Sequence, residues 1–183
     1  MIRYLAFLRA INVGGHNVKM DYLCHLFEAM DFKNVETFIA SGNVIFETGE
    51  QNIDMTRTKI ERQLANALGY EVPTFLRTDI EIELIAKYAP FNKSIMSKAL
   101  AYNIGFLNTL LTNDQKKIIF DLKTDIDDFH IHGKEIYWIC KTKQSDSTFS
   151  ANKLERAIRI PVTFRSIKTL QRLTAKYSPI KQK

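Results

Sequence analysis

The 183-residue chain is poor in most of the features that mark a specialised architecture. Its two cysteines, Cys24 and Cys140, are too few to staple a secreted scaffold. Both sit in apolar patterns, where a free thiol behaves as a small core residue. Seven Gly and four Pro exclude collagenous and low-complexity chains. No run approaches roughly 18 uninterrupted apolar residues, so no membrane span is predicted. Arg3 and Arg9 interrupt the apolar start of the chain, and no small-residue cleavage site follows, which argues against a signal peptide. The expectation is a soluble cytoplasmic protein.

What remains is an ordinary globular composition: 45% hydrophobic, 25% charged and 11% aromatic. A chain of this length buries roughly 70% of its unfolded surface and needs neither disulfide nor metal to fold. The charge is uneven. Lys and Arg number 26 against 20 Asp and Glu, yet residues 1–140 carry a net charge of −3 and residues 141–183 a net charge of +9. An asymmetry of that size points to an anionic partner, with a solvated helix face as the plain alternative.

Hydrophobic periodicity predicts strands over 2–9, 35–40, 43–48 and 72–77, and helices over 19–30 and 53–68. That order, β-α-β-β-α-β, is the ferredoxin-like unit. The first helix is expected to bury Tyr22, Leu23, Leu26, Phe27 and Met30, and the second Ile60, Leu64, Ala67 and Leu68. Thr78 and Glu81 have capping-box spacing and open a helix carrying Ile82, Leu84, Ile85 and Tyr88, stopped by Pro90. Residues 92–97 read as a linker. The rhythm then restarts: a strand over 99–107, a capping box at Thr112 and Gln115 opening a helix to about 122, and a hairpin of 125–131 with 134–141. A helix capped by Ser150, a strand over 162–165 and a last helix over 167–177 complete it. In the run from Ile136 to Cys140 both faces are apolar, as in a central strand covered on both sides. The fold class is α+β: two ferredoxin-like halves, 1–78 and 98–183, joined by a linker helix and loop over 79–97, with an extra C-terminal helix.

The run LRAINVGG over 8–15, followed by ASGNVIF over 40–46, resembles the bacterial family filed as domain of unknown function number 1697. Looser matches continue through Arg77-Thr-Asp, Pro90-Phe and Thr163-x-Arg165, so the resemblance covers nearly the whole chain. In that family Gly commonly follows the first Arg, where this chain has Ala10. An Asn-Trp-Asn run commonly follows the C-terminal Arg, where this chain has Ser166-Ile-Lys168. The family has no established activity, so the resemblance implies a fold and a cytosolic setting only.

Two constellations are candidates for function. In a ferredoxin-like unit the sheet order is 4-1-3-2, so the loop after strand 1 and the hairpin after strand 2 lie at one edge. Arg9, Asn12, Gly14, Gly15, Ser41 and Asn43 meet there: a guanidinium, amides, a hydroxyl and free backbone donors, the outline of a site for an anion or nucleotide phosphate. The plain reading is a strand-to-helix turn and a hairpin closure. The second constellation is basic. Lys168, Arg172 and Lys176 recur at i, i+4 and i+8 on the last helix, with Arg165 before it, Lys181 and Lys183 after it, and Lys153, Arg156 and Arg159 on the preceding helix. Such a ridge could track a phosphate backbone.

Other chemistries find less support. His130-x-His132 and Cys24-His25 lack a third and fourth metal ligand at recognisable spacing, and the histidines read as solvated hairpin residues. No nucleophile elbow, no Ser/His/Asp set and no cofactor fingerprint is evident. The leading expectation is a protein that binds a small phosphorylated ligand or nucleic acid, with no identifiable catalytic apparatus. The alternatives are a small-molecule enzyme with its site at the Arg9 edge, and an interaction module whose exposed sheet edges pair two copies in a homodimer.

Overall fold

The computed structural model describes residues 1–12, 15, 17–39 and 42–179. Gly14, Ser41, Lys181 and Lys183, singled out above, lie outside the described residues. The chain divides into two compact units: Met1–Ile82 with Tyr177–Lys183, and Glu83–Lys176.

The first unit runs β1 (Ile2–Leu8), α1 (Met20–Glu28), β2 (Lys33–Thr37), β3 (Asn43–Thr48), α2 (Ile53–Leu68) and β4 (Thr74–Thr78). The strands order as β2-β3-β1-β4, every neighbouring pair antiparallel. Side chains alternate across the most buried strand, so Tyr4, Ala6 and Leu8 share one face with Val44 and Phe46. That face is covered by Leu23 and Phe27 of α1 and Ile60 and Leu64 of α2. Each such fully buried large side chain contributes about 1.5–3 kcal/mol. Local signals delimit α2: the Asn52 side chain accepts from the N–H groups of Asp54 and Met55, and Gly69 at φ +79° ends it. On the opposite face Arg3 pairs with Glu47 at 3.1 Å and Asp79 at 3.7 Å.

Past β4, Thr78 and Glu81 close the expected capping box and open α3 (Asp79–Lys87). Within the expected linker, Asn92 caps a single helical turn, α4 (Lys93–Met96). The second unit continues with β5 (Ala101–Phe106), α5 (Asn113–Asp121), β6 (Asp127–His132), β7 (Glu135–Cys140), α6 (Ala151–Ile158), β8 (Thr163–Ser166) and α7 (Ile167–Lys176). Its sheet, β6-β7-β5-β8, repeats the order of the first. The capping box of Thr112 and Gln115 and the Ser150 cap form as read from the sequence. All six residues of β7 are buried. At the centre Trp138 Nε1–H donates to Asp127 Oδ1 at 2.8 Å, and Ser147 Oγ–H donates to Asp127 Oδ2 at 2.7 Å. The chain is therefore α+β with two ferredoxin-like halves.

The halves correspond residue by residue where their closing strands pair. Leu5 faces Arg77 across β1 and β4, as Ile104 faces Arg165 across β5 and β8. In each half an Arg guanidinium turns back to donate to the preceding carbonyl, that of Leu76 or Phe164. A Thr or Ser hydroxyl then caps the next helix. One expected core position fails, and one apolar position of α3 faces solvent. Tyr22 and Leu84 are 46% and 65% exposed. At about 100° per residue Tyr22 lies near the border of the stripe set by Leu23, Leu26, Phe27 and Met30, and Leu84 points well away from Ile82 and Ile85.

Among the described residues of the first unit, left-handed backbone at a residue other than Gly, Asn or Asp is found at one end of the sheet. Ala10 at φ +61° and Ile39 at φ +53° occupy the left-handed region, where a Cβ crowds the backbone. Ala10→Gly and Ile39→Asn are each expected to raise the unfolding free energy by roughly 0.5–1 kcal/mol, measured from urea transitions. In the second unit Asp127→Ala leaves the buried Trp138 N–H without its acceptor. It is expected to lower stability by about 2–3 kcal/mol, read through the emission of this one tryptophan, whereas Asp127→Asn, which keeps an acceptor oxygen, loses less.

Candidate functional site

The end of β1 is where the first constellation was expected to gather. Phe7 pairs with Asn43 in the β1–β3 ladder, the Leu8 N–H donates to the Gly42 carbonyl at 2.8 Å, and the Arg9 N–H donates to the Pro73 carbonyl at 2.9 Å. The loop after β1, the β2–β3 hairpin and the start of β4 thus meet at one end of the sheet. Gly42 is required there. Its φ is +69°, and a Cβ would stand 2.8 Å from Ile11 Cγ2 and 3.2 Å from the Leu8 carbonyl oxygen.

The amides at this end serve the backbone. Asn43 is 1% exposed, and its Nδ2 donates to the Phe38 carbonyl at 3.0 Å while the Phe38 N–H donates to the Asn43 carbonyl at 2.9 Å. Asn12 Oδ1 accepts from the Val18 N–H at 2.7 Å and holds the loop entering α1. Gly15 is exposed with φ +90°, and Arg9 is half-buried. Arg9, Asn12 and Asn43 are therefore neighbours by topology, with Asn12 and Asn43 tying turns; Gly14 and Ser41 lie outside the described residues. The sequence motif carried the turn chemistry, but it held no sign that the Asn43 side chain is directed inward.

The basic constellation separates into parts. Lys168, Arg172 and Lys176 are all exposed on α7, whose Leu170 and Leu173 are buried. Ser166 Oγ caps this helix by accepting from the Thr169 N–H at 3.1 Å. No Asp or Glu lies between Ile167 and Lys176. Lys168 stands in the first turn, where the helix dipole disfavours a cation by about 0.3–1 kcal/mol. Lys153 is exposed on α6, and its ammonium donates to the Thr148 carbonyl at 2.8 Å. α6 seats on the Trp138 cluster through Leu154 and Ile158, whereas Leu170 and Leu173 lie outside that cluster. Arg165 is different again. Its NH1 donates to Thr163 Oγ1 at 2.8 Å and to the Phe164 carbonyl at 2.9 Å, and burial pushes its pKa down to about 10. It stays cationic at neutral pH, as part of the unit's own packing rather than of the α7 ridge.

Among the described residues no group of three or more His, Cys, Asp or Glu side chains could hold a metal ion. Cys140 is buried and Cys24 half-buried. The expectation of solvated histidines holds for exposed His132 but not for His130, which is half-buried with its Nε2 3.0 Å from the Tyr88 hydroxyl. Two surface cavities lie elsewhere in the first unit. One of about 650 Å³ is lined by Met55, Lys59 and Arg62 among others, and one of about 360 Å³ by Arg3, Glu47 and Tyr177 among others. Neither takes in a residue of the two constellations. No described helix is long and apolar enough to cross a membrane.

Comparison with known proteins agrees with this architecture. The chain superimposes on the conserved bacterial protein SP0830 from Streptococcus pneumoniae with a TM-score of 0.75 and 21% identity, over 96% of this chain and 98% of that one. A likeness at that identity speaks for the fold alone. No curated protein matches. The family described as "Protein of unknown function (DUF1697)" matches residues 1–137, from β1 into β7, a span that includes both motifs at the end of β1 and leaves α7 outside it. With three quarters of its length matched, and the motifs within that span upheld, the chain belongs to the DUF1697 family; Thr163-x-Arg165 lies beyond the matched residues.

Proposed function

We propose that this protein binds the phosphate backbone of a nucleic acid along α7. The observation that carries this reading is the row of exposed Lys168, Arg172 and Lys176 on a helix without a single acid. Four residues of helix rise about 6 Å, so the three cations span about 12 Å, enough to face several phosphates of one strand at about 3.4 Å each. The exposed face of α7 carries Gln171 and Ala175 between the cations and no aromatic ring. Without a stacking surface, binding rests on charge and is indifferent to base sequence. A small phosphorylated ligand at the Arg9 end is the second reading, favoured by the strained Ala10 and Ile39 that converge there.

Fluorescence anisotropy with short RNA and DNA, single- and double-stranded, at several salt concentrations tests both. Affinity is expected to fall with salt at a slope near −2 on single strands or near −3 on duplexes, for three contacts at about 0.7 or 0.9 each. The combined substitution Lys168→Ala, Arg172→Ala and Lys176→Ala removes most of that slope, and Arg9→Ala leaves it in place. If no oligonucleotide binds at low salt, α7 is a solvated face and the reading fails. A phosphorylated-metabolite screen in which binding is lost with Arg9→Ala would then favour the second.

A further inference from the structure

The second unit contains an aromatic and imidazole cluster that neither reading uses. Tyr88 lies just beyond α3, next to its last residue, Lys87. Its hydroxyl is 3.0 Å from His130 Nε2, and its ring stacks on His132 with centroids 4.3 Å apart and planes 21° apart. It also packs at 5.2 Å on Tyr137 of β7. His130 and His132 are two residues apart on β6, so both imidazoles leave the same face of the strand. Phe91 and Tyr137 stand at 6.5 and 6.3 Å from His130.

We propose that Tyr88, His130 and His132 form an acid-sensitive latch that holds the end of α3 on the second sheet and that protonation of His130 opens. Neutral His130 suits the pocket, because an uncharged imidazole costs little to bury against three rings and still shares a hydrogen bond with Tyr88. A cation there loses hydration, and a second cation on His132 stands beside it on the same face.

The charged and titratable groups around His130 come from every neighbouring element. β6 supplies His132 and Asp128, the latter engaged by Lys123 at 2.9 Å. β7 supplies Tyr137, which pairs with His130, and Glu135, which pairs with His132. β5 supplies Tyr102, whose hydroxyl is buried without a hydrogen-bond partner among the described residues; its pKa is pushed up to about 12 by burial and then by Tyr88, so it stays neutral. Burial first, and His132 second, hold the His130 pKa below its ordinary 6.5, against an upward pull from Asp128. A depressed native pKa means that the unfolded chain takes the proton first. The stabilisation is therefore complete above about pH 6.5 and is lost as pH falls through the native value.

Amide hydrogen exchange of the intact protein at about pH 7.5 and about pH 5.5 tests the latch, because histidine titrates across this range while unperturbed carboxylates stay ionised. Protection of residues 85–88, corrected for intrinsic exchange, is expected to fall several-fold at the lower pH while protection of β7 changes little. His130→Gln, which keeps a hydrogen-bonding group but takes no proton, is expected to abolish that difference. A pH response that persists in His130→Gln, or one shared equally by β7, overturns the proposal. Should this variant not fold, an NMR titration of the unaltered protein decides: the His130 ring midpoint and the amide shifts of residues 85–88 must coincide, and separate midpoints overturn it.

Discussion

The arrangement of both units depends on one constraint: β1 and β5 must each be hydrogen-bonded on both sides by antiparallel partners. A strand so placed has no free edge and is covered above and below, and its sequence has to be apolar at consecutive positions rather than at alternate ones. Residues Tyr4–Leu8 and Ile104–Leu107 meet that demand. Once β1 lies between β3 and β4, the crossover helices have one face to cover, and the ends of three chain segments arrive at the same edge. Gly42, the Asn43 amide and Asn12 are consequences of that crowding. They allow two turns and a strand start to share a space in which a Cβ would collide.

Charge is sorted by the same geometry. Arg77 and Arg165 sit at equivalent positions of the two closing strands, and each guanidinium satisfies part of its donor set on its own backbone. A guanidinium suits such a place, because it is more weakly hydrated than an ammonium and keeps its charge even when desolvated. Arg3 is compensated instead by Glu47 and Asp79, both largely buried, with Asn34 Nδ2 donating to the remaining Glu47 oxygen at 2.7 Å. Lys168, Arg172 and Lys176 lie instead on the exposed face of α7.

Elements with their own punctuation were legible from sequence. The starts of α5 and α6 follow from Thr112, Gln115 and Ser150, because these signals act within a few residues, and α2 keeps its expected bounds of 53–68. Edge strand β2 was misplaced by two to three residues: its burial is partial and its register shifts between Lys33 and Glu36, so hydrophobicity marks it poorly. The site residues were harder. Asn43 and Asn12 have side chains equally suited to a ligand or a turn, and only the fold shows that both close turns. Arg165 looked like one more basic residue because burial of a guanidinium leaves no trace in local composition. His130 was misread for a related reason, since its partner Tyr88 is 42 residues away.

The repeat also bears on whether the basic face of α7 is a mere by-product of folding. Counted from the equivalent arginines, Ile82 and Ile85 of α3 correspond to Leu170 and Leu173 of α7, and all four are buried. The outward positions diverge. Ile80 and Leu84, 54% and 65% exposed, stand where α7 has Lys168 and Arg172. The same helix position thus accepts an apolar side chain in one half and a cation in the other, so the fold imposes neither. Lys168, Arg172 and Lys176 are all exposed on α7, and the helix dipole opposes the first of them. A requirement for surface charge would be met equally by Glu, which would suit the first turn better. The run of one sign on the exposed face of α7 is the observation on which the proposed polyanionic partner rests.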